Sequence, residues 1–286
     1  MLILAAAAMI LLGVGKAGAG AGEPSGIEAL GLRYELRELK SPRALRVHCL
    51  RADLASGKVD PRVVLAPDPD QDGPAEAALT SPLALVSNRP VVAFVNASRW
   101  DGLPDAAGNR DRAWRDGQPV DIMGLAASDG KVRSRSSPEY VSVWWNARGR
   151  IGIGDCPSEA AVEQGLAGSC LIVSNGVCVA RPEDKLAPRT ALGADRSGQV
   201  LWLVVVDGRQ PGFSEGMSYP ELADQMRQLG CWKAAALDGG GSSIMGVAGA
   251  NGVLAVANSP SDRDSQGRAK IRPVPVVLTL EATSGR

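Results

Sequence analysis

Apolar and polar positions alternate with the two-residue period of a half-buried strand over Leu32–Glu38, Leu45–Asp53 and Pro61–Leu65. The pattern predicts a β-meander across residues 28–66. A compact apolar run, Pro90–Val95, ends at Asn96 and predicts a buried strand. Shorter strands are expected near Gly124–Ala127, Val141–Trp145 and Leu171–Val173, with Asn175-Gly176 turning a hairpin. Glu76–Val86 reads as a short helix. Residues 101–118 are polar and contain glycine, and they read as an exposed loop.

The most informative segment begins at Pro188. Gln199–Val206 is an almost unbroken apolar strand that stops at Asp207-Gly208-Arg209. Ser218-Tyr219-Pro220-Glu221 is a capping box, with Ser218 as N-cap and Glu221 at the third helical position. Leu222, Ala223, Met226 and Leu229 then share one helical face, and Gly230 ends the helix. Trp232–Leu237 is a further strand, followed by Asp238-Gly239-Gly240-Gly241-Ser242-Ser243. Asn251-Gly252 turns another hairpin, and Pro275–Leu280 is the last strand. The expected fold class is α+β: a mixed β-sheet with a few packed helices, containing a β-α-β unit at residues 199–238. Crossover helices join parallel strands with a right-handed turn in about 98% of cases. If the two strands are parallel neighbours, Asp207 and Asp238 leave the sheet at one edge, where open α/β sheets bind ligands. Their carboxylates are then expected within the ~5–10 Å that paired catalytic carboxylates span.

Composition narrows the function classes. The chain has 286 residues with 31 basic and 31 acidic side chains, so its formal net charge is zero. No basic tract supplies the clustered cations that phosphate-backbone binding requires, which argues against a nucleic-acid partner. Met1–Val14 is nearly all apolar and Ala17–Ala21 is small, as in a signal peptide, although no Lys or Arg precedes the run. At that length it falls short of the ~20 residues that cross a bilayer. We expect a removable leader over 1–22, one domain over 28–282, export to the periplasm or exterior, and no stable membrane span beyond the leader. Five cysteines at wide spacings, Cys49, Cys156, Cys170, Cys178 and Cys231, include no C-x-x-C pair and argue against a zinc site. Disulfides Cys156–Cys170 or Cys170–Cys178 and simple buried thiols both stay open. The single histidine, His48, lies in a strand pattern and excludes schemes needing two imidazoles. Asp68, Asp70, Asp72 and Gly73 imitate the start of a calcium loop. Leu79 stands where the bidentate Glu belongs, so this reads as a solvated turn.

Three glycines after Asp238, between two apolar strands, are more than a linker. Glycine permits positive φ and close backbone approach, and such turns aim N–H groups at anions. Pro188-Arg189-Thr190-Ala191-Leu192-Gly193, Leu203–Arg209 and Leu237–Ser243 together resemble the motifs of the phosphodiester glycosidase family, in the family's order and spacing. The resemblance spans residues 30–282. It implies cleavage between a sugar's anomeric carbon and a phosphodiester, releasing the sugar and leaving a phosphomonoester. Bacterial relatives are linked with exopolysaccharide. The family carries a glycine- and phenylalanine-rich stretch after the Val91–Val95 strand. This chain has Asn96-Ala97-Ser98-Arg99-Trp100 instead, which is also formally a glycosylation sequon.

On this reading Asp238 is the first choice for a catalytic carboxylate, and Asp207 the second, as partner or orienter. Arg189 and Arg209 suit the phosphate because guanidinium pairs bidentately with its oxygens. Thr190, the amides of Gly239, Gly240 and Gly241, and the hydroxyls of Ser242 and Ser243 are expected to bind phosphate or sugar. Asn96 is expected to bind a sugar hydroxyl. No cofactor is assigned with certainty. A divalent cation bridging Asp207, Asp238 and phosphate is one option, and no metal ligand set is assigned. The changed Asn96–Trp100 stretch keeps a second reading open, a non-catalytic glycan- or cell-wall-binding module. The two readings part on whether Asn96, Arg189, Asp207 and Asp238 line one open pocket.

Overall fold

The alternation sets the register of the first sheet. Leu45–Asp53 forms with the expected bounds and pairs antiparallel with Leu32–Leu39, Ala52 opposite Leu32 and Leu45 opposite Leu39. The computed structural model describes residues 26–71, 73–111, 113–156 and 158–283. The leader expected at 1–22 and Asp72 of the acidic turn lie outside the described residues.

Seven strands make the largest sheet, in the order Leu32–Leu39, Leu45–Asp53, Val200–Val206, Arg189–Ala194, Lys233–Ala236, Cys170–Ser174, Val177–Cys178. A five-stranded sheet contains Val59–Leu65, Val91–Asn96, Met245–Ala248, Leu254–Val256 and Val276–Ala282. A second five-stranded sheet contains Ala126–Ser128, Lys131–Ser134, Val141–Trp145, Ile151–Gly154 and Gln164–Gly168. A small three-stranded sheet completes the set. Every paired strand among the described residues is antiparallel.

The expected mixed sheet is therefore corrected to a mostly β architecture of antiparallel sheets. Two α-helices occur among the described residues, Pro82–Val86 and Tyr219–Gln228. Val200–Val206 and Lys233–Ala236 are not neighbours. Arg189–Ala194 lies between them, antiparallel to both, so the two strands still run the same way. Burial explains the misreading. Leu201, Leu203 and Val205 face the main core, whereas Val204 and Val206 face a second core beneath the 219–228 helix. An unbroken apolar run reports two covered faces; it does not report strand direction.

The 219–228 helix forms with the full capping box and buries Leu222, Ala223 and Met226. Asn175 and Gly176 both take positive φ (53° and 74°), the geometry of the favoured hairpin turn. The helix expected over Glu76–Val86 is replaced by a two-residue strand, Ala77–Ala78, and a five-residue helix that starts at Pro82. Proline lacks an N–H and presets helical φ, so it begins a helix more readily than it continues one. All five cysteines are unpaired. No helix among the described residues is long and apolar enough to cross a membrane.

Candidate active site around the Asp238 loop

Three antiparallel strands bring the site together at one end of the large sheet. Arg189 opens the central strand there, Val206 closes its neighbour, and Ala236 closes the third. The chain beyond Ala236 passes beside the end of the Val91–Asn96 strand. Leu237 N–H donates to Thr190 O (2.8 Å), Asp238 N–H to Ala97 O (2.9 Å) and Gly240 N–H to Pro188 O (2.9 Å). Asn96 clamps the same turn from below: its Nδ2 donates to Asp238 O (2.7 Å), and its Oδ1 accepts from Thr190 Oγ1 (2.8 Å) and Ile244 N–H (3.1 Å).

The clamp corrects three expectations. Asn96 and Thr190 are buried with their polar atoms engaged, so they position the loop and do not meet a sugar hydroxyl. Burial also takes Asn96 out of reach of a glycosylating enzyme. The Gly240 amide is already committed to Pro188, and the Gly239 amide acts on Asp238 itself. Gly241 is buried beside Arg272 and Asp262. Gly240 holds φ +62°, and a Cβ on Gly241 would come within 2.3 Å of Arg272 and 2.4 Å of Asp262. These glycines serve backbone shape and side-chain approach more than anion binding.

Asp207 is likewise not in the cleft. Its side chain is 1% exposed. Oδ2 accepts from His48 Nε2 (3.1 Å), and Oδ1 from Ser259 N–H (2.8 Å) and Asn258 Nδ2 (3.2 Å). Behind His48, the Tyr34 hydroxyl lies 2.8 Å from Nδ1. A carboxylate oxygen accepts, so Nε2–H faces Asp207 and the neutral ring's Nδ1 accepts from the Tyr34 hydroxyl, which burial pushes up to about 12. Asn258 carries this buried chain to the loop by donating to Ser243 O (3.1 Å) and accepting from Met245 N–H (2.8 Å). Asp207 therefore braces the site from inside. Both its oxygens are taken by N–H donors, so the cation bridge between Asp207 and Asp238 loses one ligand.

Arg189 is buried too. Its Nε donates to Met217 O (2.8 Å), its Nη2 to Lys185 O (2.8 Å) and to Glu183, and its guanidinium lies 3.9 Å over the Tyr219 ring. It ties the start of the helix to the 183–185 segment, which corrects its expected role as a phosphate ligand.

What faces solvent is Asp238, with a side chain 18% exposed, flanked by the guanidinia of Arg99 and Arg272. Arg99 Nε lies 4.0 Å from Asp238 Oδ1. Arg209, at φ +59°, lays its guanidinium against Gly240. It is exposed and has no ion-pair partner among the described residues. Arg272 packs on Gly241 and pairs with Asp262 at 2.8 Å. Burial raises the Asp238 carboxyl above the ordinary carboxylate range, opposed by Ser242, Arg99 and Arg272. The Ser242 and Ser243 hydroxyls are buried beside it, without a hydrogen bond of normal geometry.

Of the expected residues, Asp238, Gly239, Gly240 and Arg209 reach the surface, whereas Gly241, Ser242 and Ser243 are buried in the same loop. Asn96, Thr190, Asp207 and Arg189 support them from beneath. Sequence reasoning missed Arg272, Asp262 and Asn258, which no local motif marks. Arg99 was visible only as a departure from the family pattern.

The sequence model of the phosphodiester glycosidase family matches residues 75–281. Among solved structures, the chain is similar to the catalytic domain of zebrafish N-acetylglucosamine-1-phosphodiester α-N-acetylglucosaminidase, auto-inhibited there by its pro-peptide. The TM-score is 0.64 at 20% identity, covering 88% of this chain and 83% of that one. A hypothetical protein of Synechocystis aligns with TM-score 0.61 at 15% identity, over 88% of this chain and 62% of that one. A Burkholderia pseudomallei protein described as exported aligns with TM-score 0.55 at 16% identity, over 83% and 74%. No curated protein matches the sequence.

Proposed function

The chain belongs to the phosphodiester glycosidase family and is a hydrolase, and from that premise we propose that it cleaves a sugar-1-phosphodiester at the Asp238 loop. Water attacks the anomeric carbon, the C1–O bond breaks, and the bridging oxygen leaves with the phosphate. A free sugar and a phosphomonoester result. A phosphate leaving group needs less protonation than an alcohol, so the main demands are an activated water and a charge-stabilising cradle. Asp238 meets the first as general base, because burial makes its carboxylate more basic than usual. Arg209 and Arg99 meet the second, with Arg272 held in place by Asp262. Asp207 orients this machinery through Asn258 without touching substrate. The leader at Met1–Val14 supports an exported setting, and with it a glycan substrate of the envelope or exterior.

The observation that carries this reading is one partly exposed carboxylate flanked by Arg99 and Arg272 on a loop clamped from below. The test is incubation of the purified protein with synthetic sugar-1-phosphodiesters, followed by assay of reducing sugar and phosphomonoester in equal amounts. Arg209→Ala is expected to lower kcat/KM by about tenfold, the loss of a charge-assisted contact of about 1.5 kcal/mol. An unchanged kcat/KM removes Arg209 from the cradle.

A further inference from the structure

A second concavity lies away from this site. A groove of about 910 Å³ lies at the opposite end of the large sheet, lined by Ala194, Gln199 and Lys233, among others. The Arg189–Ala194 strand separates it from the Asp238 loop. Six residues at ~3.3 Å per step put about 17 Å between the two, more than one sugar unit bridges.

Two turns furnish the groove with cations. Arg148 and Arg150 stand on the turn between Val141–Trp145 and Ile151–Gly154, whose backbone is fixed by N–H donation from both arginines to Asn146 Oδ1 (3.0 and 3.1 Å). Arg196 stands on the turn before Val200–Val206, fixed by Asp195 through Gln199 and Val200 N–H (3.0 Å each). None of the three has an ion-pair partner among the described residues. The other basic groups are engaged: Arg62 by Asp60 and Asp129, and Lys233 by Ile153 O. On the acidic side, Asp195 is spent on its own turn and Asp60 pairs with Arg62, which leaves Glu163 against three guanidinia without an ion-pair partner among the described residues, Arg196 lying over Trp232. Ile151 supplies partly exposed apolar surface beside the polar Asn146 and Gln199.

We propose that this groove is a second binding site, for an acidic oligosaccharide segment. Guanidinia on fixed turns pair bidentately with carboxylate or sulfate groups, and the apolar Ile151 beside the amides of Asn146 and Gln199 suits the mixed C–H and O–H faces of a sugar chain. A nucleic acid fits less well. It needs an open aromatic face for stacking, whereas the Trp232 ring is covered by Arg196 at 5.0 Å and Trp145 is buried. On the reading that the Asp238 loop processes glycans, the groove holds a distal part of the same polymer while the loop works on a phosphodiester-linked unit.

The test is fluorescence anisotropy of the full chain with a labelled oligogalacturonate. A neutral malto-oligosaccharide and a single-stranded oligonucleotide of equal charge serve as comparison probes. The expected result is saturable oligogalacturonate binding that weakens with added salt, about tenfold or more in the triple variant R148E/R150E/R196E. Turnover of a small sugar-1-phosphodiester stays unchanged in that variant. R196E alone, on an exposed turn, gives an intermediate loss and serves if the triple variant fails to fold. Equal binding by wild type and R196E, or tighter binding of the oligonucleotide, overturns the proposal. Binding is read without turnover, so a failure of the hydrolase reading leaves this test intact.

Discussion

Replacing Asp238 by asparagine is expected to lower kcat by about 10²–10⁴-fold, the usual contribution of a positioned general base, and to raise thermal stability at neutral pH. The two effects share a cause. Folding raises the Asp238 pKa, first through desolvation, so the folded chain holds that proton more tightly than the unfolded chain does. Stability therefore falls as pH climbs from the unfolded pKa through the folded one, and the cost of the buried charge persists at neutral pH. Asparagine keeps the shape and removes the charge. Activity needs the deprotonated form, so the acidic limb of kcat/KM is expected above the ordinary carboxylate range. Arg99→Gln removes a cation that opposes the shift and is expected to move the limb to higher pH. A pH–rate profile and a melting curve of each variant check both statements. An asparagine variant with wild-type turnover would leave Asp238 without its role.

Asp207→Ala is expected to fail differently, by loss of the fold around the site. It leaves His48 Nε2, Asn258 Nδ2 and the Ser259 N–H without their acceptor in a buried position. Removing one partner of such a buried network costs about 3–5 kcal/mol, a large share of the 5–15 kcal/mol that holds a domain. Chemical denaturation checks the magnitude. Asp207→Asn retains the side-chain shape and an acceptor oxygen, and is expected to recover part of the loss. If Asp207→Ala were as stable as wild type but inactive, Asp207 would act directly on substrate.

The contrast between the two aspartates shows how far the sequence could be read. Both are followed by glycine at the end of an apolar strand, and local sequence treats them alike. Strand direction was inferred correctly, because Val200–Val206 and Lys233–Ala236 do run the same way and deliver both acids to one end. Adjacency was not, because Arg189–Ala194 inserts between them from earlier in the chain and no local pattern announces it. Whether each carboxylate turns inward or outward depends on distant partners. His48 and Asn258 draw Asp207 in, and Arg99 and Arg272 stand beside Asp238. Those partners lie 159 and 51 residues from Asp207 along the chain. The Ser218 capping box and the Asn175-Gly176 turn were legible because everything they need lies within four residues. The same logic explains Asn96 and Arg189. Their residue types suit sugar and phosphate equally well as they suit a buried clamp, and only the surrounding strands decide between the uses.

The most direct measurement is hydrolysis of a sugar-1-phosphodiester in ¹⁸O-water, read on the phosphomonoester by mass spectrometry. Attack at the anomeric carbon, driven from the Asp238 loop, predicts a phosphomonoester that carries no heavy oxygen. A phosphomonoester that gains one ¹⁸O would mean that the P–O bond breaks instead, and would contradict the account.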